Sequence, residues 1–176
     1  ETRRNDPSGI THVHHFYSKR NLWVLAKLIQ ETKEISNHQN SSFCRFLFQQ
    51  WVIGFSKLNR YSPNHFSQNN RNLSGTLYIG SQISEVSYNY AFGQKIKRLS
   101  RAFGSYKLFY NYIATQDASN IFISDNSVDY LFIDPPFGSN LNYSELNFLW
   151  ESWLKVWTNN KPEAVENSVQ GKGLNE

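Results

Sequence analysis

The run Val128-Asp129-Tyr130-Leu131-Phe132-Ile133 ends on Asp134-Pro135-Pro136-Phe137, and Gly138-Ser139-Asn140 follows at once. A short apolar run between turn signals reads as a strand buried in a sheet. The polar stretch from Ser124 to Asp129 is the turn that feeds it. Each proline fixes its own φ and has no N–H. The residue before a proline is pushed toward extended backbone, so Asp134 and Pro135 are both stiff. The corner therefore offers carbonyl oxygens with few matching donors. A carboxylate beside a carbonyl makes two acceptors aimed at one place, and an amino group has two N–H donors to give them. Accepting both raises the electron density on the nitrogen. Phe137 supplies a ring that can stack on a flat heterocycle, a contact worth about 1–3 kcal/mol per base. In an open α/β sheet such a corner lies where ligands bind, beyond the carboxyl end of a strand. Asp-Pro and Pro-Pro also make ordinary turns, and the residues alone leave that reading open.

Periodicity organises the rest of the chain. Leu22, Val24, Leu25, Leu28 and Ile29 fall on one side of a helix expected over Lys19–Ile35, with Ser18 as its N-cap. Phe43, Phe46, Leu47, Trp51 and Phe55 recur at three- and four-residue intervals and predict a second helix over Phe43–Leu58. The Asn-, Ser- and Arg-rich stretch from Asn59 to Ser74 reads as loop, and Gly75–Gly80 as a short strand. A basic helix is expected over Phe92–Phe103, a strand over Tyr106–Thr115 and a helix over Glu145–Trp157 carrying Leu146, Leu149, Trp150, Trp153 and Leu154. This divides the chain into a helical and loop-rich region, residues 1–104, and an α/β region, residues 105–176.

Composition sets outer limits. The chain has 176 residues, 39% of them apolar and 16% aromatic, enough for a real core. No run of about 18 apolar residues exists to span a membrane. The single cysteine, Cys44, excludes an internal disulfide framework, makes the reducing cytoplasm the default compartment and is most simply a packing residue. A net charge of +4 fits a nucleic-acid partner without requiring one. There is no Gly-x-Ser-x-Gly elbow, no Walker loop and no His-Glu-x-x-His.

The segment from Ile123 to Glu145 resembles the catalytic motif of the amino-methylating DNA methyltransferases, which reads Asp/Asn/Ser-Pro-Pro-Tyr/Phe. Further blocks resemble a large prokaryotic family of adenine-specific DNA methylases. They are His12–Leu22, Ser56–Tyr61, Leu73–Ile79, Tyr143–Glu151 and Gln170–Leu174, in family order along nearly the whole chain. The resemblance implies a Rossmann-like, S-adenosylmethionine-dependent catalytic domain, partial here within 105–176, with 1–104 containing a target-recognition insertion. It implies methyl transfer to the exocyclic N6 of adenine in DNA, or less readily N4 of cytosine, in a setting such as restriction–modification. The base would be flipped out of the duplex. Asp134 and the Pro135 carbonyl would orient the amine, Pro136 would complete the corner, and Phe137 would stack on the ring. Asn140 and Tyr143 would line the pocket. No metal takes part. RNA base methyltransferases use the same four residues, and a non-catalytic nucleic-acid-binding remnant is a third reading.

The chain departs from the family in one large respect. The glycine-rich cofactor loop of the form Asp-x-Phe-x-Gly-x-Gly is missing; the nine glycines are scattered. There is also no methionine, and Glu1 stands first. The expectation is an internal piece of a longer protein whose cofactor loop lies upstream.

Three further sets of residues stand out. Asp117 follows the expected Tyr106–Thr115 strand, where related folds often hold the cofactor adenine; a helix N-cap is the simpler role. Lys57, Arg60 and Arg71 interleave with Tyr61, His65 and Phe66 in a pattern suited to nucleic acid, as do Lys95, Lys97, Arg98 and Arg101 on the basic helix. Solvated surface is the simple alternative for each. His12, His14 and His15 raise the question of a metal, yet no other Cys or His stands near in sequence. Packed or solvated histidines, or stacking on bases, are the other uses.

Overall fold

The computed structural model describes residues 5–63, 77–105, 112–114, 116, 120–134, 138–139, 143–163 and 165–173. Four helices dominate these residues: α1 (Lys19–Glu34), α2 (His38–Val52), α3 (Tyr88–Gly104) and α4 (Tyr143–Leu154). Short 3-10 turns sit at Asp6–Ser8, Val13–Phe16 and Ser168–Gln170.

α1 begins where the sequence places it. The Ser18 hydroxyl accepts from the Asn21 N–H, satisfying one of the first-turn donors. Leu25 is fully buried, and Asn21 is buried with it because its amide donates to the Phe55 carbonyl at 3.1 Å. α2 starts earlier than the apolar spacing indicates, since Asn37 caps it by accepting from the Asn40 N–H at 2.9 Å. It also stops earlier. The chain turns at Ile53–Phe55, Gly54 lies inside that turn, and the Ser56 hydroxyl takes the Ile53 carbonyl at 2.7 Å. The turn brings Ser56 into an antiparallel bridge with Tyr17. Phe55 and Leu58, expected on the helix face, are therefore buried from a turn. α3 starts four residues before the expected Phe92, at Tyr88. α4 ends at Leu154 instead of Trp157, because Lys155 takes a left-handed φ of 57° and the Val156 N–H returns to the Glu151 carbonyl.

The core joins α1, α2 and α4. Phe16, Leu25, Phe48, Val52, Leu58 and Leu149 are sealed within it. Aromatic rings meet edge-on around these aliphatics: Phe16 with Phe148 at 5.8 Å, and Phe48 with Trp153 at 5.6 Å. α3 attaches through Phe92, whose ring centroid lies 4.3 Å from Trp51.

The expected strands do not form ladders among the described residues. Isolated bridges link Tyr17 with Ser56, Arg60 with Ile83 and Asn167 with Lys172. Residues 77–80, from the expected Gly75–Gly80 strand, have no regular structure, and neither do 112–114 from Tyr106–Thr115. The polar turn before the motif is present, with Asn126 at a φ of 57° and the Ser127 hydroxyl on the Ser124 carbonyl. The Val128–Asp134 segment after it pairs with no other segment among the described residues. Tyr130 and Phe132 are each 80% exposed, and Leu131 and Ile133 are 68% and 67% exposed. A strand with both faces apolar holds its shape only when neighbours take its backbone hydrogen bonds and cover both faces, and no such neighbour stands among the described residues. None of the described helices is long and apolar enough to cross a membrane.

Truncating Leu149 to alanine should cost about 2–5 kcal/mol, measured by denaturant unfolding. Tyr17→Phe, which leaves the Trp153 N–H without its acceptor, should cost about 1–3 kcal/mol. A Leu149→Ala loss below that of Tyr17→Phe would mean that α4 is not part of the core.

Candidate functional site: the Asp134 corner and its support

Asp134 is exposed, and no cation or hydrogen-bond donor among the described residues holds its carboxylate. Pro135, Pro136 and Phe137, together with Asn140, lie outside the described residues, as do Asp117 and Arg71. The site is legible on either side of the motif.

Downstream, Gly138 turns the chain with a φ of 47°, a left-handed conformation that suits glycine. Its carbonyl accepts from the Glu166 N–H at 3.0 Å. That bond ties the exit of the corner to a polar cap built from the C-terminal residues around the start of α4. The Glu163 carboxylate accepts from the Ser144 N–H at 3.1 Å, placing a negative charge on the positive end of the helix. Asn167 donates to Glu145 Oε1 at 3.0 Å, and Gln170 donates to the Ser144 hydroxyl at 3.2 Å. Asn167 and Lys172 exchange backbone hydrogen bonds at 3.0 and 3.1 Å around a tight turn, with Gly171 at a φ of 73°. The Lys172 ammonium bonds the carbonyls of Asn160 and Glu163. Two acceptors in this network, Glu163 Oε2 and Gln170 Oε1, are buried without a donor.

This cap gives physical meaning to a block that the sequence presented only as a pattern. Gln170-Gly171-Lys172-Gly173 is a turn whose lysine staples carbonyls, and it braces the helix that follows the Asp-Pro-Pro-Phe corner. The roles of Glu163 and Asn167 were not legible in sequence, since each acts on a residue about twenty positions away. Tyr143 opens α4 and is 45% exposed.

At its other end α4 is fixed to the blocks nearest the N-terminus. The Trp153 indole donates to the Tyr17 hydroxyl at 3.0 Å, and that hydroxyl donates to the Val52 carbonyl at 3.0 Å. The Trp150 indole donates to the Gln49 carbonyl at 3.0 Å. Burial pushes the Tyr17 phenol well above its ordinary range, so it stays a neutral donor. The structure thus brings together His12–Leu22, Ser56–Tyr61, Tyr143–Glu151 and the Gln170–Gly173 part of the last block.

The basic candidates divide. Lys57 and Arg60 lie just after the turn that ends α2, half-buried. On α3, Lys95 reaches Gln50 of α2, while Lys97, Arg98 and Arg101 are exposed. The described cavity, about 350 Å³, lies between α2 and α3 and is lined by Phe43, Leu47, Ile96, Leu99, Ser100 and Phe103. It does not include Asp134. Its lining carries no carboxylate that could hold a ribose. No group of three or more metal-ligating side chains is arranged to hold an ion among the described residues.

No protein-family model matches this chain, and neither a curated protein nor a solved structure matches it.

Asn167→Ala removes the side-chain hydrogen bonds of the cap's central residue with Glu145 and with the Gln170 N–H. Amide exchange at Glu166 should quicken by an amount equivalent to about 1–3 kcal/mol. An unchanged rate at Glu166 would mean that Gly138 is held independently of the cap.

Proposed function

We propose that this chain supplies the amine-holding half of a Rossmann-like nucleic-acid methyltransferase that acts on the exocyclic N6 of adenine in DNA. The observation that carries the reading is the Asp134 corner itself. An exposed carboxylate, held by no described cation, ends an apolar segment and precedes two prolines, an aromatic and a turn that is pinned to α4. A carboxylate already clamped by an arginine would be unable to accept from a substrate; this one keeps its acceptors open.

The chemistry of this chain is that of the amine side. Asp134 takes one N–H of a flipped-out base and the Pro135 carbonyl takes the other. Their pull leaves the nitrogen lone pair less committed to the ring and better able to attack. Pro136 keeps the corner stiff, and Phe137 stacks on the base. Rigidity matters because acceptors fixed in advance need no reorganisation as charge moves. The methyl donor expected from the resemblance, S-adenosylmethionine, supplies an electrophilic methyl group when bound, with Asp117 the candidate for its adenine. Lys57, Arg60 and Arg71 contact phosphates, which gives affinity without sequence reading.

In the complete methyltransferase, Asp134→Ala should lower methyl transfer by about 10²–10³-fold and leave cofactor affinity unchanged. Retained activity removes Asp134 from the mechanism. Duplex DNA should be methylated in preference to ribosomal or transfer RNA; the reverse preference moves the substrate to RNA. Calorimetry of this chain alone with S-adenosylmethionine should give no binding heat, and tight binding would show that the cofactor seat lies within these residues.

A further inference from the structure

The histidines that make no metal site form a compact group of another kind. His12, His14 and His15 lie on and beside the 3-10 turn at Val13–Phe16, with ring centroids 5.4 Å apart for His12 and His14, 5.3 Å for His12 and His15, and 4.2 Å for His14 and His15. Their placement is fixed from beneath. Phe16 and Tyr17, the next residues, are sealed in the core, and the Phe16 carbonyl accepts from the Lys57 N–H at 2.6 Å. The Tyr17–Ser56 bridge stands beside that bond. The fold therefore carries Lys57, from the far side of two helices, to the histidine turn.

The group is poor in negative charge. His12 Nδ1 bonds the Thr11 hydroxyl at 2.8 Å, and His15 Nδ1 accepts from the Thr11 N–H at 3.2 Å. Neither His12, His14, His15 nor Lys57 pairs with a carboxylate among the described residues. The charged groups facing His15 are His14, His12 and Lys57, all cationic when charged, and only the Gly9 carbonyl acts in the opposite sense. Desolvation, then these neighbours, hold the His15 imidazole below its ordinary range. An oxyanion placed among them would reverse the electrostatic part of that shift.

We propose that His12, His14, His15 and Lys57 form a phosphate-binding site that takes a phosphodiester of the nucleic-acid backbone. The polymeric ligand rests on the nucleic-acid reading above; the phosphate chemistry does not. Three imidazoles and an ammonium supply several N–H donors over a small area, and charge-assisted bonds of this type are the stronger ones. Contacts of this kind position a strand without reading its sequence. Binding must strengthen as pH falls, because the protonated imidazoles are the better partners. By linkage, an oxyanion that raises one imidazole's pKa by about one unit binds the protonated group about tenfold more tightly than the neutral one.

The test is an NMR titration of the histidine side chains in this chain between about pH 5 and pH 8. It is run alone, with inorganic phosphate and with a short single-stranded oligodeoxynucleotide at fixed ionic strength. The His15 pKa should rise by about one unit with the oligonucleotide. A variant with His12, His14 and His15 all changed to Gln should bind the oligonucleotide about tenfold more weakly near pH 6 and equally near pH 8. Lys57→Gln should weaken binding at both pH values, and the melting curve of each variant checks folding. A rise with inorganic phosphate and none with the oligonucleotide upholds the oxyanion site but makes its ligand a free phosphate group. Unmoved imidazoles in both arms overturn the proposal. None of these arms involves methyl transfer, so their failure leaves Asp134 to be judged by its own variant.

Discussion

The Tyr17 hydroxyl is the junction on which the packing depends. It donates to the last carbonyl of α2 and accepts from the indole of Trp153 on α4, both at 3.0 Å. Three stretches distant in sequence thus meet on one oxygen atom. The bond to Val52 is buried and the one from Trp153 partly so, and each is costly to lose without its partner. The residue on one side of Tyr17 enters the core as Phe16, and Ser18 on the other side caps α1. A single tripeptide therefore sets the start of one helix, the docking of another and the site of the histidine turn. Asn21 and Asn59 play similar parts at smaller scale, each burying an amide to satisfy a turn carbonyl after α2.

What could be read from sequence follows from how local each determinant is. α1 was legible because its cap and its apolar face are both set within a few residues. The polar turn at Asp125–Asn126 was legible for the same reason. The end of α2 was not, since Phe55 and Leu58 continue the helical spacing and are buried all the same, from the opposite side of a turn that Tyr17 stabilises. Periodicity reports which residues are covered; it does not report whether the backbone beneath them is continuous. The strand expected over Val128–Asp134 marks the same limit. Alternation and β-branching say that a segment suits a sheet, but a ladder requires a second segment, and pairing is a non-local property.

The candidate site divides along the same line. Asp134 stood out because the carboxylate, the prolines and the aromatic ring stand next to one another in sequence. The cap that braces its exit did not, because Glu163, Asn167 and Gln170 are ordinary polar residues until their partners on α4 are known. Lys57 stood out as one cation in a basic stretch. Its neighbours in space, the three histidines, stood out separately, and the Tyr17–Ser56 bridge and the Lys57–Phe16 hydrogen bond bring them together.

The chemistry proposed for the corner is compatible with the geometry of its downstream support. A base amine is a weak nucleophile because its lone pair is shared with the ring, so a site that activates it must hold two acceptors at fixed positions. The two prolines that follow Asp134 each fix their own φ. Farther along in the same direction, Gly138 is tied to Glu166, and Glu166 belongs to a cap whose members grip the first turn of α4. α4 in turn is locked into the core by Leu149, Trp150 and Trp153. Positional restraint thus passes from the buried core through α4 and the hydrogen bonds of its cap as far as the Gly138 carbonyl. Under the proposed reading, that support would limit how far an acceptor corner reorganises as charge moves on a bound amine.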